Sequence, residues 1–430
     1  MVRDEDMFEA FRTCLRHKAS SPSAIKYFYG YERDILSLVD EINARTYRPS
    51  TSVAFLVTKP KLREVFAAGF RDRIVHHYVA MRIEPLYEKL FCDRTFNCRA
   101  EKGVLYGVSQ LKQDIKECTE NYTKPVWVVN LDLQGFFMSI DVKLLNKMIQ
   151  DFIKAKYFGD DKDDVLWLSE TIMLHEPEKD CTRRSSLELW KQLPANKSLF
   201  TNGNGLGLPI GNLPSQHNAN FLLHWLDMLL EKMGFKYHGR YVDDFYYMTV
   251  CETDADKQRM LHAIAVIRRF LRLYLHVNLH PNKFKFQYYD KGVAFTGAVV
   301  KKDRVYVGNR TVANAQDAIY RLNNYSTSEK KLLHNVQSVN SYLGIMRHYD
   351  TYDIRKRLIE MIKQELWEKV YVKGHYDSLH IKKHKKKLNP NPKEDYQKKV
   401  YYLRDTINYG LAGLSQLFNN EIVSENNSVK

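Results

Sequence analysis

Residues 236–250 read Lys-Tyr-His-Gly-Arg-Tyr-Val-Asp-Asp-Phe-Tyr-Tyr-Met-Thr-Val, two strand-forming runs around a tight Asp243-Asp244 turn. Tyr, Val and Phe suit a pleated, half-buried surface, so the flanks predict a hairpin. Two adjacent carboxylates at its tip repel one another and pack poorly in an apolar core. An Asp-containing turn is the plainer reading of a bare pair. A divalent metal gives the pair a purpose, because Mg²⁺ takes carboxylate and phosphate oxygens together. A second run, Val126 to Leu133 (VWVVNLDL), has the continuous apolar character of a buried strand and carries Asp132 near its end. Alone, Asp132 is an ordinary strand-end acid. With the two strands side by side, three carboxylates meet, and two metals about 3.5–4 Å apart would clamp an attacking oxygen and a leaving phosphate.

Outward from this point the chain alternates strand and helix. Residues 7–44 carry Met7, Phe8, Phe11 and Leu15 at helical spacing. Residues 51–57 predict a strand, followed by the basic positions Lys59, Lys61 and Arg63, and residues 70–91 predict a helix. A polar stretch over about 155–204 leads to a Gly-rich segment at 202–212. Ala219, Leu222, Leu223, Leu226, Leu229, Leu230 and Met233 then share one helical face. Asp254 is placed to cap a further helix. Strand-like pieces occupy 284–289, 293–300 and 304–307, and beyond 310 the pattern is helical, with Leu332, Val336, Val339, Leu343 and Met346 on one stripe. The expected fold class is α+β, with a helical C-terminal subdomain. The expected divisions are an N-terminal helical extension (1–50), segments 51–125 and 126–310 forming the mixed core, helices over 311–371, and a basic tail over 372–430.

The chain has 430 residues, 44% of them hydrophobic, which supports a sizeable folded core. No apolar run approaches the ~20 residues of a membrane span, and the charged N-terminus leads into no secretory signal. The net charge of +15 fits a polyanionic partner, although a soluble basic protein has the same balance. The six cysteines form no CxxC pair, so reduced thiols in a cytoplasm are expected.

The motifs together resemble reverse transcriptases. Tyr241-Val242-Asp243-Asp244 resembles their YxDD motif. Leu131-Asp132-Leu133-Gln134-Gly135-Phe136-Phe137 resembles the first palm motif, and Gly207 to Gln216 (GLPIGNLPSQ) resembles PQGxxxSP. Arg71-Asp72-Arg73 and Phe96-Asn97-Cys98-Arg99 look like fingers motifs of bacterial, group II intron-like enzymes. Lys283, Phe295-Thr296-Gly297 and Ser341-Tyr342-Leu343-Gly344 fall where later palm and thumb motifs lie. The resemblance runs in order from about 55 to 350. In detail it is similar to diversity-generating-retroelement reverse transcriptases and their unassigned or defence-associated bacterial relatives. The pointer is Ile210 where most reverse transcriptases have Gln, with Gln216 where they have Pro.

The resemblance implies a right-hand polymerase, with fingers at 51–125, a palm at 126–310 containing an insert at about 150–205, and an all-helical thumb at 311–371. It implies RNA-directed DNA synthesis with two Mg²⁺ per site, Mn²⁺ substituting. Asp132 and Asp243 bridge the metals, Asp244 supports them, and the Leu133 carbonyl is a further ligand. Lys61, Arg63 and Arg99 are candidates to grip the triphosphate, with exposed solubilising charge the alternative for each. Lys283 is a candidate proton donor to pyrophosphate, or simply a loop lysine. Phe137 stands at the steric gate against a ribose 2′-OH, or is plain core. Ile210 and Gly211 face the nascent pair, and Arg71, Arg73, Ser215, Gln216 and Tyr241 are nucleic-acid contacts. The run His380 to Lys387, including Lys385 and Lys386, reads as a solvated linker or an RNA contact. The implied partners are an RNA template or noncoding RNA, DNA product, deoxynucleoside triphosphates and a small accessory protein. Rival readings are protein-primed or unconventionally templated synthesis, an RNA-dependent RNA polymerase, and an inactive RNA-binding scaffold. Val242 and Phe137 argue against the second rival and the full set of acids against the third.

Overall fold

The computed structural model describes residues 1–382 apart from positions 17, 60, 203, 204 and 325–327, so Lys385 and Lys386 lie outside the described residues. Three helices open the chain, α1 (Asp4–Leu15), α2 (Pro22–Phe28) and α3 (Tyr31–Asn43). Ser21 caps α2 by accepting from the Ala24 N–H at 3.3 Å, with Pro22 pre-set at the first helical position. Met7, Phe11, Ile35, Leu38 and Ile42 from this layer are buried in the largest hydrophobic core.

The antiparallel pair β1 (Ser52–Val57) and β2 (Arg63–Ala67) follows, then the long helix α4 (Phe70–Leu90) and α5 (Val104–Cys118). After β3 (Val126–Leu133) come α6 (Phe136–Ser139), α7 (Val142–Lys156) and α8 (Lys162–Met173). The polar stretch then returns to the fingers, where β4 (Cys181–Arg183) lies parallel to β1. The short helices α9 (Leu187–Gln192) and α10 (Leu199–Asn202) lead to α11 (Leu213–Lys232). Then follow β5 (Tyr237–Tyr241), β6 (Asp244–Val250), α12 (Asp254–Tyr274) and β7 (Leu279–Tyr288). The cap of α12 is Thr253 rather than Asp254. Thr253 Oγ1 accepts from the Asp256 N–H at 3.2 Å, and the Asp256 carboxylate accepts from the Thr253 N–H at 2.9 Å.

The palm sheet has the order β5-β6-β3-β7, antiparallel throughout. Its two faces serve two cores, which explains why β3 reads as a continuous apolar run. Val129, Leu131, Phe245 and Tyr247 face the layer containing α7, α11 and α12. Val126, Val128, Tyr246 and Met248 face α5 and a small three-stranded sheet made of β8 (Val293–Phe295), β9 (Ala298–Val300) and β10 (Val305–Val307). The buried Asp114 of α5 ties that second layer to the sheet. It accepts from Tyr246 Oη at 2.7 Å and from Arg94 at 2.7 Å.

The remaining helices, α13 (Asn309–Asn323), α14 (Glu329–Met346) and α15 (Tyr352–Glu360), build a core of their own around Ile319, Leu332, Val339, Leu343 and Leu358. The helical pattern read through 371 ends in a hairpin instead, β11 (Val370–Lys373) paired with β12 (Ser378–Ile381). Val370 and Leu379 enter the thumb core, and Asn340 of α14 bonds the Leu379 carbonyl at 2.8 Å and its N–H at 2.7 Å. Alternating Val-Tyr-Val and Leu-His-Ile supplied a period-two signal too short to stand out beside the basic run.

Candidate active site

The β-hairpin of the sequence reading forms as expected, with Tyr241 paired to Asp244 across a turn of Val242 and Asp243. Leu131 of β3 pairs with Phe245 of β6, which sets Asp132 beside Asp243-Asp244. On the other side of β3 the register breaks. Leu131 pairs with Phe284 of β7 but Leu133 pairs with Leu279, so His280, Pro281, Asn282 and Lys283 bulge opposite Asp132. Proline is at home in such a bulge because it has no N–H to give the ladder. The bulge carries Lys283 onto Asp132, with which it forms an ion pair.

The site is electrostatically strained without metal. Burial, then repulsion from Asp132, raises the Asp243 carboxyl above the usual carboxylate range. Burial, with lesser repulsion from Asp243 and Asp132, pushes Asp244 up to about 7, against a hydrogen bond its carboxylate accepts from the Thr296 N–H at 3.0 Å. Two buried carboxylates left under-compensated, with the Asp132 carboxylate beside them, fit a hard divalent cation such as Mg²⁺. Across from the acids, Lys61, Arg63, Lys283 and Arg310 concentrate positive charge. The Lys61 ammonium is lowered first by desolvation and then by Arg310, Lys283 and Arg63.

What holds the tip in place was not read from the sequence. Val242 has a left-handed backbone, φ 57°, at a β-branched residue. Its N–H donates to Asn97 Oδ1 at 2.9 Å and its carbonyl accepts from Arg240 at 3.2 Å. Arg240 is fully buried. It makes a two-pronged bond to Asp227 of α11, at 2.8 and 2.6 Å, and donates to Asn220 Oδ1 at 2.8 Å. Thr95 donates to the other side of Asp227 at 2.8 Å. The backbone of Arg94 to Phe96 bonds Arg240 along the free edge of β5, so the Phe96-Asn97-Cys98-Arg99 motif braces the hairpin. The available signal was a charge at an inward strand position, with Asp227 interrupting the apolar face of α11.

The predicted contact residues divide. Lys61, Arg63 and Lys283 come together with the acids, and Leu133 is buried at the bulge. Phe137 is half-buried against Phe136, 5.5 Å between ring centroids. Ile210 packs on the fingers cluster of Ala54, Phe66 and Leu199, and its carbonyl accepts from the Phe66 N–H at 2.8 Å. Gly211 has φ 115°, and a Cβ there would lie 2.8 Å from the Phe66 carbonyl oxygen, so only glycine lets the loop close on β2. Ser215 is buried in the first turn of α11, while Gln216 is exposed and takes a hydrogen bond from Cys98 at 3.4 Å. Tyr241 is half-buried against the second core.

Three of the expected contact residues are engaged within the fold. Arg99 donates to Glu88 at 2.9 Å and to the Cys92 carbonyl at 2.6 Å, with its side chain 6% exposed, so in this structure its guanidinium is taken up by the fold. Arg71 is committed to Glu41 through two 2.8 Å bonds and to Asp34 at 3.2 Å, which pins α3 to α4. Arg73 donates to the Ala68 carbonyl at 2.9 Å within its own helix start. Sequence spacing shows a basic residue but not which acid reaches it first.

Comparison with known proteins settles the family. A profile described as "Reverse transcriptase (RNA-dependent DNA polymerase)" matches residues 58–300, more than half of the chain. The chain belongs to the reverse transcriptase family. Among curated proteins it is 30% identical over 123 residues to Protein YkfC of Escherichia coli (strain K12), a match covering 28% of this chain and 32% of that one. Among solved structures it is similar to apo telomerase from Candida tropicalis (TM-score 0.43, 11% identity), covering 73% of this chain and 55% of that one. It is likewise similar to telomerase from Candida albicans in complex with a fragment of telomeric RNA (TM-score 0.40, 9% identity), covering 77% and 64%. The chain thus spans less than two thirds of each of these relatives. The fold is that of a right-hand polymerase, with antiparallel palm strands flanked by helices.

Two outcomes follow from the geometry. Asp227→Asn leaves the buried Arg240 guanidinium undercompensated, and urea unfolding should show a loss of about 3–5 kcal/mol. For Asp244 the folded-state pKa lies above the roughly 3.9 of an unfolded aspartate. The folded protein therefore binds more protons between these values, and metal-free stability falls as pH rises through that window. Asp244→Asn removes the effect. Without divalent metal its Tm should exceed wild type by on the order of 2 °C at about pH 8, with the gap closing near pH 4.

Proposed function

We propose that this reverse transcriptase family member joins deoxynucleoside triphosphates to a primer end on an RNA template. The observation that carries the reading is the meeting of Asp132, Asp243 and Asp244 with Lys61, Arg63 and Lys283 at one end of the palm sheet. Asp132 and Asp243 would hold two Mg²⁺, or Mn²⁺ in their place, with Asp244 and the Leu133 carbonyl in support. Bound there, the metals supply charge neutralisation and a deprotonated 3′-oxygen for attack at the α-phosphorus. Lys61 and Arg63 bind the triphosphate, the former as a point charge and the latter as a planar fork. Lys283, held in the bulge, is the group placed to give a proton to departing pyrophosphate. Phe137 excludes a ribose 2′-OH by its bulk, and the helices beyond 308 hold duplex product.

Ile210 and Gln216 support a finer reading, a bacterial group II intron-like enzyme of the diversifying or defence-associated kind. A dedicated noncoding RNA, with a small accessory protein, belongs to that reading by resemblance. So does a cytoplasmic setting, with which free cysteines agree. Ile210 offers no hydrogen bond where Gln would, so discrimination at the nascent pair relies on packing alone.

Primer extension on an RNA template with Mg²⁺ tests the activity. Wild type should make DNA, and Asp243→Asn should lower the rate by at least about 10²–10³-fold. Ribonucleotide incorporation in preference to deoxyribonucleotide, or equal rates in the variant, would sink the proposal. Ile210→Gln should lower misincorporation opposite adenine, read by sequencing the products, and unchanged error spectra would remove the assigned role of Ile210.

A further inference from the structure

Behind the hairpin tip, Cys92, Glu231 and His238 bring one sulfur, one oxygen and one nitrogen donor within 4.8 Å of one another. They come from three elements. Cys92 follows α4, Glu231 lies in the last turn of α11, and His238 is in β5. They border a cleft of about 790 Å³ that His224 and Arg94 also line.

His238 is the observation that singles the cluster out. It is 2% exposed, and its Nε2 has no hydrogen-bond partner. Its Nδ1 lies 2.9 Å from the Phe235 carbonyl oxygen. A carbonyl only accepts, so Nδ1 carries the proton and Nε2 presents a bare lone pair. Second-sphere bonds of this kind orient metal-ligating histidines. An unpaired buried acceptor otherwise costs stability and returns nothing. Burial raises the Cys92 thiol to about 11, against hydrogen bonds with Thr95 Oγ1 at 3.7 Å and with the Arg94 backbone. Glu231 is exposed and makes no ion pair among the described residues, so its carboxylate is able to swing inward.

We propose that Cys92, His238 and Glu231 form a binding site for a borderline divalent cation of the Zn²⁺ class, distinct from the oxygen-only site of the palm. Sulfur and imidazole select such a metal over Mg²⁺. Tetrahedral coordination, with bonds of about 2.0–2.3 Å, asks the donors to close only modestly from their present spacing. On binding, the Cys92 S–H proton passes to solvent and the thiolate becomes a ligand, while His238 binds in its neutral form. The fourth position faces the cleft. Such a metal would staple the ends of α4 and α11 to the strand whose next inward residue is Arg240. It would thereby brace the anchor of the catalytic turn from behind.

The full chain, stripped with chelator and loaded with Zn²⁺ or Co²⁺, tests this. Elemental analysis after gel filtration should find one tightly held metal per chain. The Co²⁺ form should show a thiolate-to-metal charge-transfer band, which neither the palm acids nor the cysteine-free segment after residue 382 can produce. Cys92→Ser should abolish the band. Glu231→Gln, at an exposed position that spares folding, should weaken Co²⁺ affinity at least about tenfold while retaining the band. Stoichiometric metal without a thiolate band, a band that survives in Cys92→Ser, or no retained metal would each overturn the site.

Discussion

A guanidinium with no access to water organises the acid-bearing end of the palm sheet. Arg240 cannot shed its charge, so burying it requires an equally buried carboxylate and a full set of acceptors. Asp227 supplies the charge, while Asn220 and the Val242 carbonyl take most of the remaining donors. Because these partners sit on α11 and on the turn itself, satisfying one cation fixes the distance between helix and hairpin. Thr95 and Asn97 then complete the shell from the fingers side. The cost of a buried ion is converted into position for Asp243 and Asp244, two residues that would otherwise push themselves toward solvent.

The same logic runs in reverse at the acids. There the charges are deliberately under-compensated, with burial and mutual repulsion opposed by one backbone N–H from Thr296 and by Lys283. A well-satisfied network behind and a poorly satisfied one in front make a rigid support for a site that gains stability when cations arrive. Lys283 reaches Asp132 only because β7 bulges, so an irregularity in hydrogen-bond register is part of the electrostatic design.

Much of this was legible in the sequence. The hairpin, the buried strand and Asp132 announced themselves, because strand propensity and an acid at a strand end are local signals. Lys61 and Arg63 stand out as a basic stretch after a strand, and Lys283 by its place in the motif order. What escaped was non-local. The sequence marks Arg71 as a nucleic-acid contact and Arg99 as a triphosphate contact, but it does not show that Glu41 and Glu88 pair with them across 30 and 11 residues of chain. Arg240 reads as an ordinary hairpin residue, because its flanking residues do not show that Asp227, 13 positions earlier, lies beneath it. The hairpin at 370–381 was masked by its short strands and by the basic run beside it. Periodicity reads faces, whereas pairing of charges depends on which faces meet.

Among the described residues the thumb core shares no buried residue with the palm cores, and the two bodies touch at Tyr349, at a pair of hydrogen bonds between Asp350 and Val305, and through Val307, which β10 contributes to the thumb core. A substitution inside one of these cores therefore leaves the packing of the other in place. Repacking the thumb core incurs no packing debt in the palm cores, much as interchangeable handles fit one blade.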